Sequence, residues 1–180
     1  MIRTDSFFRS VGFAAGAAVG SVAWLVCAAP ALGGRRALGL WLVALAAAYV
    51  GGLAGRPHRR VAVTLVTAGV GLAVLVVVPA IRELVLALAV VLGVGRTACV
   101  PRSTALRAVT TEACLLAGGL AFAAMLGGPS VRGVAFGVWG FFLVQSFWSL
   151  IPAGGARTRL AGEVDPFDAA HSRAVALLPR

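Results

Sequence analysis

The sequence predicts an all-α fold, a polytopic membrane bundle of about six transmembrane helices with both termini in the cytoplasm and a short amphipathic helix at the C-terminus. Three observations predict it. Hydrophobic residues make up 60% of the 180-residue chain and charged residues only 12%, against ~25% charged in an ordinary soluble domain. The mean hydropathy is +0.96. Six long apolar runs follow one another between short loops whose charge is almost all arginine. About 20 apolar residues suffice to cross the hydrocarbon of a bilayer as a helix. A soluble chain of this length could not cover so much apolar surface.

The runs are read in order. Span 1 covers 11–29, after a short N-terminus carrying Arg3 and Arg9. Its end, Ala29-Pro30-Ala31, has the form of a signal-peptide cleavage site. The run is longer than a usual signal core, however, and Pro is poorly placed there, so span 1 is expected to be a mature helix. Arg35 and Arg36 mark the first loop, and span 2 covers 37–55. The cluster Arg56-Pro57-His58-Arg59-Arg60 precedes span 3, over 61–78. Pro79 and Arg82-Glu83 form a turn before span 4, a short run over 84–95. Span 4 is expected either to extend from 79 to 96, with Arg82 and Arg96 snorkelling outward, or to be re-entrant; the full crossing is preferred. Arg96, Arg102 and Arg107 bracket the next loop, span 5 covers 106–126, Gly127-Gly128-Pro129 is a turn, and span 6 covers 131–151. The membrane domain is therefore 1–152 and the tail 153–180.

All sixteen basic residues are Arg, with no Lys. With abundant Ala, Gly and Val this points to a GC-rich bacterial genome and the bacterial cytoplasmic (inner) membrane. It also excludes a retinal Schiff base, which needs a Lys. The net charge of +10 invites a nucleic-acid reading, but the arginines are scattered among loops without a continuous basic face. They serve better as topology signals, since short basic loops stay on the cytoplasmic side. With the N-terminus inside, only Arg35, Arg36, Arg82 and Arg132 fall outside, and the other twelve fall inside. Trp41 and Trp148 then sit at the two interfaces, whereas Trp139 falls mid-span and is expected between helices.

Glycines recur at helical spacing at Gly12, Gly16 and Gly20 in span 1, at Gly51 and Gly55 in span 2, and at Gly133 and Gly137 in span 6. Lipid offers no hydrophobic drive between helices, so small residues that allow close approach mark contact faces. The partner is either a neighbouring span or another chain.

Glu112 is the one carboxylate inside the hydrocarbon, ~9 Å along the axis from Leu106 at 1.5 Å per residue. Gln145 lies six residues before Ile151 on the antiparallel span 6, so both belong at one depth in the inner leaflet. Thr110, Thr111, Ser146 and Ser149 flank them, and Thr64 and Thr67 enter from the same side. An ionisable residue at that depth is a functional hypothesis by default. The sharp reading is a proton- or cation-coupled site of Glu112, Gln145, Thr111, Ser146 and Ser149. The structural reading, which is preferred, pairs Glu112 with Arg107 or another inner-loop Arg and uses Gln145 as interhelical glue.

Other chemistry is not signalled. Cys27, Cys99 and Cys114 form no C-x-x-C pair. His58 and His171 lie outside the spans, so no haem or zinc site is expected, and neither cofactor nor metal is predicted. There is no G-x-S-x-G motif, P-loop or paired carboxylate within a span. In the tail, Asp165-Pro166 is a helix start, and Phe167, Ala170, Ala174 and Leu178 give an apolar face. That helix is expected to dock on a partner, on the membrane surface or on the protein's own inner loops. Spans 1–3 and 4–6 would be oppositely oriented halves, as in inverted repeats, but share no motif. The function expected is a non-catalytic subunit or interaction module of a membrane complex, its partner the lipid bilayer and another membrane or cytoplasmic protein or a second copy. The alternative is a small transporter or channel built on Glu112 and Gln145.

Overall fold

The computed structural model describes residues 4–54, 56–99 and 105–151, and these form six α-helices and one 3-10 turn with no strand. The helices are α1 (Thr4–Leu32), α2 (Gly34–Leu53), α3 (Pro57–Val77), α4 (Ile81–Cys99), α5 (Ala105–Leu126) and α6 (Val131–Ser146), the last continued by a turn over Phe147–Leu150. Five of the six stretches are long and apolar enough to cross a membrane. The exception is α4, whose 19 residues reach about 28 Å at 1.5 Å per residue but include Arg82, Glu83 and Arg96. The tail and its expected amphipathic helix lie outside the described residues.

Packing follows the polarity of each face. α1 lies against α2 and α6, α2 also against α3 and α4, and α5 against α6. α4 closes the ring by meeting α5 over a short stretch. Ala14 and Ala17 of α1, Leu45, Ala46, Tyr49 and Val50 of α2, Leu92 of α4 and Phe142 of α6 form the main core. Phe13, Tyr49 and Phe142 bring three helices together with ring centroids 5.1–5.5 Å apart, Phe13 edge-on to Phe142 and the other two pairs tilted, within the spacing aromatic pairs favour. The outside is as apolar as the inside: Val76 is 85% exposed, Met125 80% and Leu106 79%. Arg96, Gln145 and Glu112, in contrast, are buried. Apolar exterior and polar interior are what hydrocarbon as the surrounding medium requires.

The helix ends differ from the sequence expectation in two places. The stretch holding Arg35 and Arg36, expected as a loop, is a single-residue hinge at Gly33, with α2 already helical at Gly34. Gly33 has φ +80° and ψ +146°, a conformation open essentially to glycine alone. Its N–H bonds to Ala29 O at 2.9 Å, and its carbonyl accepts from Ala37 N–H at 3.0 Å. The helical bonds thus run almost through the corner. Span 4, in turn, does not stop at Gly95. α4 continues to Cys99 and carries Arg96 into the bundle, fully buried.

Arginines also close helix ends. Arg35 Nη2 donates to Val78 O at 2.5 Å, beyond the last turn of α3. Arg59 Nη2 donates to Ala98 O at 3.0 Å at the end of α4. A cation at a helix C-terminus satisfies orphan carbonyls and faces the negative end of the macrodipole.

Close approach is made by glycines other than those on the stripe of α1. A Cβ on Gly12 or Gly16 would meet nothing within 4 Å, so within the described chain neither marks a helix contact. Gly20 alone of the three abuts a neighbour, the Trp41 ring at 2.8 Å from an added Cβ. The buried face of α1 instead carries Ala14, Ala17, Ser21 and Leu25. Trp41 Nε1 donates to Ser21 Oγ at 2.7 Å, and Trp24 stacks on Trp41 with centroids 5.8 Å apart. α6 comes close to the backbone of the α5–α6 turn: a Cβ on Gly133 would stand 2.6–2.8 Å from backbone atoms of Gly128.

Backbone cannot yield as a side-chain tip can, so Gly133→Ala is expected to lower stability by about 1–3 kcal/mol. Gly16→Ala, facing open space, should stay within about 0.5 kcal/mol. Unfolding of the two variants in detergent micelles checks the contrast.

Candidate functional site

The polar cluster is assembled by the ends of three helices. α4 delivers Arg96 in its last turn, where the macrodipole favours a cation. α5 runs back antiparallel and presents Glu112, and α6 presents Gln145 near its C-terminus. Arg96 Nε donates to both carboxylate oxygens of Glu112, at 2.9 Å to Oε1 and 3.0 Å to Oε2. Arg96 Nη2 donates to Glu112 Oε2 as well, completing the ion pair. Arg96 Nη1 donates to Gln145 Oε1 at 2.7 Å. Gln145 Nε2 donates in turn to Leu115 O on α5 at 2.9 Å. The chain of bonds thus passes from α4 to α5, from α4 to α6, and back from α6 to α5.

Neighbours complete the enclosure. The Arg96 guanidinium carbon lies 4.4 Å from the centroid of the Trp148 ring, within cation–π range. Tyr49 Oη reaches Gln145 O at 3.5 Å, the long limit for such a bond. Gly119 makes room: an added Cβ would stand 2.7 Å from Gln145 Nε2. Gly93 does the same on α4, where a Cβ would stand 2.9 Å from Leu116 and 3.6 Å from Glu112 Oε2.

Two residues named from sequence, Glu112 and Gln145, are brought into one cluster. They do not touch each other directly in the bonds above; Arg96 joins them. Thr111 is half-buried beside Glu112. The hydroxyls of Ser146 and Ser149 turn to their own backbone, donating to Leu143 O at 2.6 Å and Ser146 O at 2.7 Å. Thr110 does likewise, to Leu106 O. Thr67 is buried on α3, and Arg107 is exposed. Trp148, expected at the interface, is buried against Arg96.

The sequence reading includes Arg96 among the inner-loop arginines that could pair with Glu112, but not as a buried site residue, because a charge at the edge of an apolar run reads as the end of a span. The available signal was depth. Arg96 lies one turn before Cys99, and Glu112 about two turns into the next, antiparallel helix, so the two must approach the same level.

Chemically, the cluster is a neutralised pair. Each charge is desolvated, and each meets the other through charge-assisted bonds in a medium of low dielectric. Among the described residues no group of three His, Cys, Asp or Glu gathers to hold a metal. Cys27 and Cys114 are exposed free thiols on the apolar exterior, and Cys99 is half-buried. The fold and the cluster together describe a helical, multi-pass membrane architecture. Compared with protein-family models, with curated proteins and with solved structures, the chain matches none of them.

Arg96→Leu would leave the Glu112 carboxylate and Gln145 Oε1 buried without their donor. The expected loss is about 3–5 kcal/mol, the usual cost of breaking one side of a buried pair. Ser149→Ala removes a hydroxyl that bonds only locally and should stay within about 0.5 kcal/mol. Equilibrium unfolding in mixed micelles measures both.

Proposed function

We propose that the protein is a non-catalytic helical module of the bacterial inner membrane, acting as a subunit or interaction partner within a membrane complex. The observation that carries this reading is the use made of Glu112. The carboxylate that could relay a proton or hold a cation is engaged by three donor contacts from Arg96. A transport carboxylate has to exchange its partner with a proton or ion during turnover. Here it ties α5 to α4, and Gln145 ties α6 to both. That is the work of a scaffold whose helices must keep their places.

The reading includes six membrane crossings with both termini in the cytoplasm. α4 counts as a crossing because its length matches the ~30 Å hydrocarbon core and its one deep charge is paired inside the bundle. Arg96 no longer counts as a loop residue, which leaves eleven arginines on the inner side and Arg35, Arg36, Arg82 and Arg132 on the outer. The asymmetry still supports an inner N-terminus. The exclusive use of arginine supports a bacterial source.

Two experiments test the proposal. Reporter fusions at the α1–α2, α3–α4 and α5–α6 turns should report the outer side, and fusions at either terminus the inner side. Purified protein in liposomes should give no proton or cation flux above that of empty vesicles, while cross-linking in native membranes should trap a defined larger assembly. Protein-dependent flux abolished by Glu112→Gln, in a variant that remains folded, would establish the transporter reading in its place.

A further inference from the structure

At the opposite end of the bundle from Arg96, the helices part. α4 meets α5 through Gly93, Leu116 and the Arg96–Glu112 pair. Toward the α3–α4 and α5–α6 turns, α2 and α4 separate from α5 and α6 and leave a half-open cleft of about 250 Å³. Leu42, Ala89, Leu92, Leu120, Val134 and Phe141 contribute to its walls, and every lining side chain is apolar. Water would find no partners there; apolar cavities of this kind stay dry and take up apolar molecules. Left empty, the walls would forgo the dispersion contacts that close packing provides.

Two arginines lie at this end of the bundle, close in sequence to lining residues. Arg82 lies one turn before the lining residue Val85, and Arg132 is next to the lining residue Gly133. Both arginines are exposed, and neither forms an ion pair among the described residues. Glu83, also exposed, offsets one charge and leaves the three together positive. Guanidinium groups bind phosphate through matched donors, and basic side chains at this level draw anionic lipid. An apolar slot with arginines at the same end of the bundle has the polarity profile of a lipid with a negatively charged headgroup.

We infer that the cleft between α2, α4, α5 and α6 holds an acyl chain of an anionic phospholipid whose phosphate sits at Arg82 and Arg132. The occupant comes from the bilayer itself, and its chain fills the space that the cluster around Arg96 leaves where α4 and α5 diverge.

The test uses the full-length protein in nanodiscs of phosphatidylcholine doped with phosphatidylglycerol carrying a photoreactive acyl chain, with photoreactive phosphatidylcholine as control. Mass-spectrometric mapping should find adducts at Leu88, Leu92 and Phe141, several-fold more with phosphatidylglycerol. Ala89→Phe, which fills the cleft from α4, should reduce these adducts several-fold while leaving those at exposed Val90 unchanged; Ala123→Leu fills it from α5 and provides the same comparison. The pair Arg82→Gln and Arg132→Gln should abolish the preference for phosphatidylglycerol. Adducts confined to Val90 and the rest of the exterior would overturn the inference. So would equal labelling of the cleft by the two lipids, or a cleft shielded from both by a helix of a second copy.

Discussion

Arg96 and Glu112 cannot be separated without leaving a charge in hydrocarbon, and much of the rest of the bundle is arranged around that constraint. A charge moved from water to a medium of low dielectric loses most of its solvation, and only a close partner with well-directed bonds offsets the loss. Here both partners are present, and Gln145 takes a further guanidinium N–H. The pair fixes the rotation of α4, because Arg96 must point inward. It fixes the register of α5, because Glu112 must stand level with Arg96. Through Gln145 it fixes the depth of α6. The glycines then fall where they are needed: Gly93 beneath Leu116 and Glu112, and Gly119 beneath Gln145 and Phe141.

The remaining interfaces carry less charge and more shape. α1 and α2 are joined by indole donors: Trp41 to Ser21 Oγ, and Trp24 to Ala37 O at 2.8 Å. α5 and α6 approach through glycine and alanine backbone around Gly133 and Gly137. With apolar groups equally welcome inside and outside, such packing and bonding must supply association that water would otherwise drive. The same logic explains the arginines at helix ends. Arg35 and Arg59 reach carbonyls at the ends of α3 and α4, so residues that read as topology signals also finish the C-termini of neighbouring helices.

Much of the architecture was legible because length and hydropathy are coarse properties that survive in any register. The helices lie close to the apolar runs, and five of them meet the length and polarity a crossing demands. The ends were less legible. Gly33 turns the chain in one residue because glycine alone reaches its conformation comfortably, and no periodicity announces that. Depth arithmetic brings Glu112 and Gln145 to one level and offers an inner-loop arginine as the partner of Glu112, but it does not single out Arg96, because a charge at the edge of an apolar run reads as loop rather than as bundle interior. Of the stripe Gly12, Gly16 and Gly20, only Gly20 meets a neighbour within the described chain. In a chain with 23 glycines, spacing alone does not say which face meets a neighbour. That is decided by where bulky partners such as Trp41, Val50 and Phe141 stand.

Arg96 and Glu112 act as one unit inside the bundle. A double-mutant cycle on Arg96→Leu and Glu112→Leu, measured by reversible unfolding in lipid bicelles, addresses it directly. Strong non-additivity is expected, with the double variant more stable than the sum of the two single losses implies by about 2 kcal/mol or more, as for contacting groups in one network. Additive losses, with coupling within about 0.5 kcal/mol of zero, would contradict it.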